Sequence, residues 1–117
     1  MTTSGGGYSY PLNTNAGGVL NSAGYAVVSI GPTNPYEVWT VGAVAINADV
    51  TTNTPTCNVY LGNGPNGQLL AGTYNGAQNS ANISVTLYTG QKICAVFSGG
   101  DPGAAVGFAV QGTVNVP

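Results

Sequence analysis

Four side chains carry charge at neutral pH: Glu37, Asp49, Lys92 and Asp101. Carboxylates could serve as acids or bases, but the chain has no histidine, the commonest general base. No carboxylate lies within five residues of another, so no loop has the ligand spacing of a calcium site. Asp101 stands in a Gly-Gly-Asp-Pro-Gly turn, where an aspartate most often bonds its own backbone. We therefore expect no catalytic residue, no metal and no cofactor, and a protein that is not an enzyme.

Two cysteines, Cys57 and Cys94, are too few for a disulfide framework. Alternation along the predicted strands places Cys57 on the apolar side, with Val59. The same reasoning places Cys94 on the side opposite Ile93 and Phe97. Because the two side chains point to different faces, we expect two free thiols, as in a protein made in a reducing cytosol.

The chain is almost free of charge. Charged residues make up 3% of it, against roughly 25% in an average soluble domain. One lysine cannot neutralise a phosphate backbone or an anionic lipid surface, so nucleic acid and membrane partners are excluded. Uncharged surfaces pack together without the cost of desolvating charges. The composition therefore favours a subunit of an assembly; the alternative is a secreted or surface β-domain with neutral polar faces.

From Gly24 onward the pattern is that of β-strands. Apolar and polar residues alternate over 82–88 and again over 106–111, and clusters of Gly, Pro and Asn separate the runs. Seven or eight short strands predict a single antiparallel β-sandwich over residues 24–117, jelly-roll-like or immunoglobulin-like. Trp39 precedes both cysteines, which disfavours a true immunoglobulin domain.

Residues 1–23 contain five glycines and no apolar alternation, which predicts an extended Gly-rich N-terminal arm. Its candidates for subunit contacts are Tyr8, Tyr10, Pro11 and Leu12. The arm could lie on a neighbouring subunit or fold back along its own domain. On the first interpretation, deletion of residues 1–15 should leave a folded sandwich that associates poorly.

The segment from Cys57 to Val106 contains the motifs VYLG, GTYNG, LYTGQ and AVFSGGDPGA, and Trp39 lies in the strand predicted before it. These motifs resemble small β-sandwich virion proteins of tailed actinobacterial phages. The resemblance implies a non-enzymatic structural protein, most simply a capsid decoration (cement) protein that bridges coat subunits and forms a homo-oligomer. Its partners would be the major capsid protein or tail subunits.

The start of the chain lacks the basic and apolar regions of a signal peptide. Together with the resemblance, this implies synthesis in the host bacterial cytoplasm and a final location in the virion. The alternative is a minor tail protein, or a sandwich at the tip of a tail fibre that binds host carbohydrate. Two or more exposed aromatic side chains lining one groove, with Asn or Asp beside them, would favour carbohydrate binding.

Overall fold

The protein is all-β in the residues that the structure, a computed structural model, describes: 8–62 and 67–116, with the backbone alone for 72–74. This part contains no helix long and apolar enough to cross a membrane. Its strands are β1 (Tyr8–Val19), β2 (Ala26–Ile30), β3 (Val38–Ala48), β4 (Thr56–Leu61), β5 (Gln68–Asn75), β6 (Gln78–Leu87), β7 (Ile93–Ser98) and β8 (Ala105–Val116).

The strands form two four-stranded sheets in which all paired neighbours are antiparallel. One sheet has the order β1-β8-β3-β6 and the other the order β2-β7-β4-β5. The first strand thus pairs with the last, the second with the second-last, and successive pairs alternate between the sheets. This order is that of a jelly roll rather than of an immunoglobulin domain. The predicted antiparallel sandwich is confirmed, and the strand order decides between its two forms.

The core lies between the two sheets, where each strand contributes every second side chain. On β8 the inward residues Val106, Phe108, Val110 and Val114 are buried. The described residues include no buried polar or charged side chain. The other core residues are Leu12, Leu20, Val28, Ile30, Trp39, Val41, Val44, Ile46, Cys57, Val59, Leu87, Ile93, Ala95 and Phe97.

The predicted boundary between an arm and a domain at residue 23 is wrong for residues 8–19. These residues form β1, which pairs with β8 without a break from Tyr8↔Val116 to Val19↔Ala105. Of the two placements considered for the arm, the described part folds back along its own domain; residues 1–7 lie outside the described residues. Deletion of residues 1–15 would therefore remove two thirds of an integral strand.

The physical reason is the small size of the inward residues of β1 after Leu12, namely Thr14, Ala16 and Gly18. Ala16, for example, lies opposite Phe108 in the register, and Leu12 lies opposite Gly112. The bulk in these pairs comes from either strand, so the alternation of large residues that Tyr8, Tyr10 and Leu12 begin does not continue through the second half of β1. Its conformation is fixed by pairing with a strand that is about a hundred residues away in the chain.

Candidate functional site

Four exposed tyrosines lie at one end of the sandwich, which we call the tyrosine end: Tyr8, Tyr10, Tyr36 and Tyr88. Their exposed fractions are 66%, 41%, 71% and 59%. The register puts the start of β1, the end of β8, the start of β3 and the end of β6 at this end. The connections 31–37 and 88–92 join the two sheets here, and Thr89 ties them by donating its hydroxyl hydrogen to the carbonyl of Asn34 at 2.8 Å.

Glu37 orders part of the tyrosine end. Its Oε2 accepts a hydrogen bond from the Tyr10 hydroxyl at 3.0 Å, and its Oε1 accepts one from Trp39 Nε1 at 3.2 Å. The hydrogen bond that Tyr10 donates to Glu37 raises the pKa of Tyr10 above its ordinary value. The rings of Tyr8 and Tyr10 stack with centroids 6.1 Å apart. Because both oxygens of Glu37 are engaged and the rings are held in place, less side-chain freedom is lost when a partner binds.

The structure separates the four predicted contact residues. Tyr8, Tyr10 and Pro11 are exposed, whereas Leu12 is 6% exposed and belongs to the core. Leu12 was therefore misassigned, because strand alternation turns it inward between the sheets. Sequence reasoning also missed Tyr36 and Tyr88. Each stands alone in a turn region, and only the topology brings both to the end where β1 begins.

The outward face of the sheet β1-β8-β3-β6 is a second candidate surface, which we call the amide face. Its central positions fall in three rows across the sheet, and the register joins the members of each row. No side chain in these rows carries a charge. The rows are Asn13–Gln111–Ala43–Asn82, Asn15–Ala109–Ala45–Ser80 and Gly17–Gly107–Asn47–Gln78.

The amide face is concave along these rows. One depression of about 690 Å³ and an adjoining one of about 350 Å³ share Ala45, Ser80 and Ala109 in their linings. The exposed tyrosines do not line either depression. Within the described residues, the amides and the exposed aromatic rings therefore belong to two separate surfaces. The combination expected of a carbohydrate-binding groove, exposed aromatic side chains beside Asn or Asp, is not found there.

Asp101 joins two loops at the end of the sandwich opposite the tyrosines. Its Oδ2 accepts the backbone N–H of Thr51 at 2.7 Å and of Thr52 at 2.9 Å, and its Oδ1 accepts that of Asn53 at 2.9 Å. These backbone bonds lower the pKa of Asp101 to about 2. The interpretation that this carboxylate bonds its own turn is wrong, because its partners lie in the loop after β3. The role is nevertheless structural.

The other ionisable groups do not assemble into a reactive centre in the described part of the chain. Glu37 lies at the tyrosine end, whereas Asp49 follows β3 at the opposite end with Asp101. The described residues contain no group of three or more His, Cys, Asp or Glu side chains that could hold a metal ion. Glu37 and Asp101 instead hold neighbouring rings and loops in place through the hydrogen bonds described above.

Both cysteines are free, as predicted from strand alternation, and both are buried. Cys57 belongs to the core, and burial raises the pKa of its thiol to about 12. Cys94 lies outside the core cluster that contains its neighbours Ile93 and Ala95, and its Sγ donates to the carbonyl of Gly62 at 2.8 Å. The two thiols are thus on different sides of their sheet.

Comparison with known proteins assigns no family. No protein-family model and no curated protein matches the chain. A chain in the structure of infectious bursal disease virus, Gx strain, has a TM-score of 0.38 and 15% identity, covering 93% of this chain and 35% of its own length. A chain of the Gt strain has a TM-score of 0.39 and 15% identity, covering 99% and 33%. This chain thus spans about a third of those two, and a likeness of this degree assigns no function.

Proposed function

We propose that this protein is a non-enzymatic structural subunit of a phage virion, a capsid decoration protein that bridges coat subunits through its tyrosine end. The observation that carries the proposal is the gathering of Tyr8, Tyr10, Tyr36 and Tyr88 at one end of the sandwich. Tyrosine is enriched in the central parts of protein interfaces, and exposed rings held by neighbours bind at low entropic cost.

The available area is consistent with a weak contact that is repeated many times. An aromatic side chain buries about 150–250 Å², so four partly exposed rings supply on the order of 500 Å². A standard interface takes about 800 Å² from each partner. The remainder would come from the connecting loops and the other residues of this end. Many copies around a shell gain from multivalency, so each contact need not be strong by itself.

The neutrality of the chain supports the same proposal. Glu37 and Lys92 are the charged residues in the described connections at the tyrosine end, and Glu37 is already bonded to Tyr10 and Trp39. A partner that covers this end therefore meets only these two charged side chains in the described connections, one of them already hydrogen-bonded. The sequence resemblance to actinobacterial phage virion proteins supports the choice of partner. The alternative is a minor tail protein that docks through the same end on tail subunits.

The test is binding of the recombinant protein to virions from which it has been removed, with heads and tails separated. We expect saturable binding to heads. Replacing both Tyr8 and Tyr10 by Ala should weaken it at least tenfold, because tyrosine anchors are frequent hot spots. Tyr10→Phe, which keeps the ring, should bind much more tightly than the double variant.

The matched control is Val19→Ala, which truncates an exposed apolar residue at the other end of β1. It should bind heads as the unmodified protein does. Binding to tails alone would overturn the decoration proposal in favour of the alternative, a minor tail protein. Binding to neither part, or equal binding by the double variant, would overturn the proposal.

A further inference from the structure

The amide face carries a groove whose base is formed by small side chains. The two central strands place Ala45 of β3 opposite Ala109 of β8, with Gly107 of β8 in the next row. Their short side chains leave the depression of about 690 Å³, a volume within the usual range of about 300–1,000 Å³ for ligand sites. The base therefore presents methyl groups and backbone rather than bulky or charged groups.

Asn47 lies across one end of the base. A Cβ on Gly107 would stand 2.6 Å from Asn47 Oδ1, so the amide of Asn47 occupies the space above this glycine. Any larger residue at position 107 would displace that amide. The absence of a side chain at Gly107 thus positions a hydrogen-bonding group over the groove, beside Gln78 in the same row.

Longer polar side chains border the groove on the two edge strands. Asn15 lies on β1, and Ser80 and Asn82 lie on β6. Neighbouring strands are about 4.8 Å apart, so three spacings separate the backbones of β1 and β6 by roughly 14 Å. Once the side chains are allowed for, this width admits one extended chain of small rings.

Most amides of the groove differ in their bonding from the amides of the turns. Among the described residues, the turn amides accept backbone N–H groups, as Asn21, Asn34 and Asn75 do. One amide of the groove, Asn79, accepts the backbone N–H of Ser80 at 2.8 Å, whereas the other amides that border the groove make no hydrogen bond to a described protein group. These other amides are Asn15, Asn47, Gln78, Asn82 and Gln111.

The chemistry of the groove selects among possible occupants. No ionisable side chain lines it, so nothing there compensates a charged ligand. The backbone groups of the central strands are used in the sheet ladders, so a peptide strand would find no backbone partners on the face. A second copy fits poorly, because two concave faces would leave a void between them.

A chain of sugars fits these features through amides and methyl groups, although no exposed aromatic side chain among the described residues lines the groove. Each carboxamide offers a donor and an acceptor, which matches hydroxyl groups that both donate and accept. The methyl groups of the base can contact the C–H faces of sugar rings. We propose that the groove on the amide face binds a neutral oligosaccharide. This surface lies on the side of the sandwich, so a subunit docked through its tyrosine end leaves it accessible.

The test is titration of the isotope-labelled protein with linear glucose, mannose, galactose and arabinose hexasaccharides, followed by NMR. We expect at least one of them to bind with a Kd of about 1 mM. At a sugar concentration about ten times this Kd, the side-chain NH₂ signals of Asn15, Asn47 and Gln78 should be shifted. Asn47→Ala and Gln78→Ala should each weaken binding about tenfold. Ala109→Leu, which fills the base of the groove, should abolish binding.

The matched control is Asn115→Ala, an amide on the same face whose Nδ2 donates to Thr40 at 3.2 Å, outside the groove. It should bind the sugar normally, and thermal unfolding should show that Ala109→Leu remains folded. The proposal is overturned if no probe shifts these signals, or if the shifts appear at the tyrosines instead. It is also overturned if the signals change with protein concentration alone, which would indicate self-association. None of these outcomes affects head binding, so the two proposals fail independently.

Discussion

Replacing Leu12 by Ala distinguishes a core residue from a contact residue. Leu12 is 6% exposed and lies opposite Gly112, where a Cβ would collide with the carbonyl oxygen of Thr40. Because Gly112 has no side chain, the residue paired with Leu12 cannot fill the space that Leu12 leaves. Leucine-to-alanine changes in cores cost about 2–5 kcal/mol, and the cost is larger where the site cannot collapse. We expect a loss in the upper part of this range, about 3–5 kcal/mol.

A domain of this size loses roughly 4 °C of Tm for each kcal/mol. Leu12→Ala should therefore lower the Tm by about 12–20 °C in thermal unfolding followed by circular dichroism. Val19→Ala is the control, since Val19 is on the same strand but 62% exposed. Its Tm should change by no more than about 2 °C, as for most surface substitutions. Equal Tm values for the two variants, with weaker particle binding by Leu12→Ala, would refute the assignment of β1 to the domain.

Two further outcomes follow from the buried and bonded ionisable groups. Because its pKa is lowered to about 2, Asp101 stabilises the fold above its unfolded pKa of about 3.9, and this contribution is lost as the pH falls towards 2. Asp101→Asn should therefore have a lower Tm than the unmodified protein at neutral pH, and this difference should shrink between about pH 4 and pH 2. Asp49→Asn is the control, for which no such pH-dependent difference is expected. A Tm difference for Asp101→Asn that does not change with pH would contradict this reasoning. Burial raises the pKa of Cys57 to about 12, and Cys94 is also buried, so a thiol reagent at pH 8 should react slowly with the folded protein. After denaturation without reductant, the same reagent should titrate two thiols per chain. Recovery of a Cys57–Cys94 bridged peptide from fresh protein would show the assignment of free thiols to be incorrect.

The sequence predicted the strands in which bulky residues alternate. The alternation of Ile83, Val85 and Leu87 indicates the strand that the structure has as β6. The clusters of Gly, Pro and Asn marked the turns because these residues adopt turn conformations readily. Gly99 and Gly103, for example, both have a positive φ. Local chemistry was therefore enough for the class of fold.

What the sequence could not predict depends on partners far away in the chain. The inward residues of β1 after Leu12 are small, and this half of the strand is identifiable only beside β8. The carboxylate of Asp101 bonds a loop about fifty residues earlier, and no local pattern distinguishes this from an ordinary turn. The groove of the amide face likewise arises from four strands that are not consecutive, so its amides look like unremarkable surface positions in the sequence.

The pairing of β1 with β8 also constrains the order of events when the chain folds. Tyr8 pairs with Val116, so the sheet β1-β8-β3-β6 cannot be completed until almost the whole described chain has been synthesised. β3 and β6 can associate earlier, but β1 must wait without a partner for its full length. Proteins dominated by such distant pairings fold in milliseconds to seconds rather than microseconds. During this interval β1 and the open edge of β3 are free to pair with other chains, so the nascent protein is most exposed to aggregation before β8 emerges.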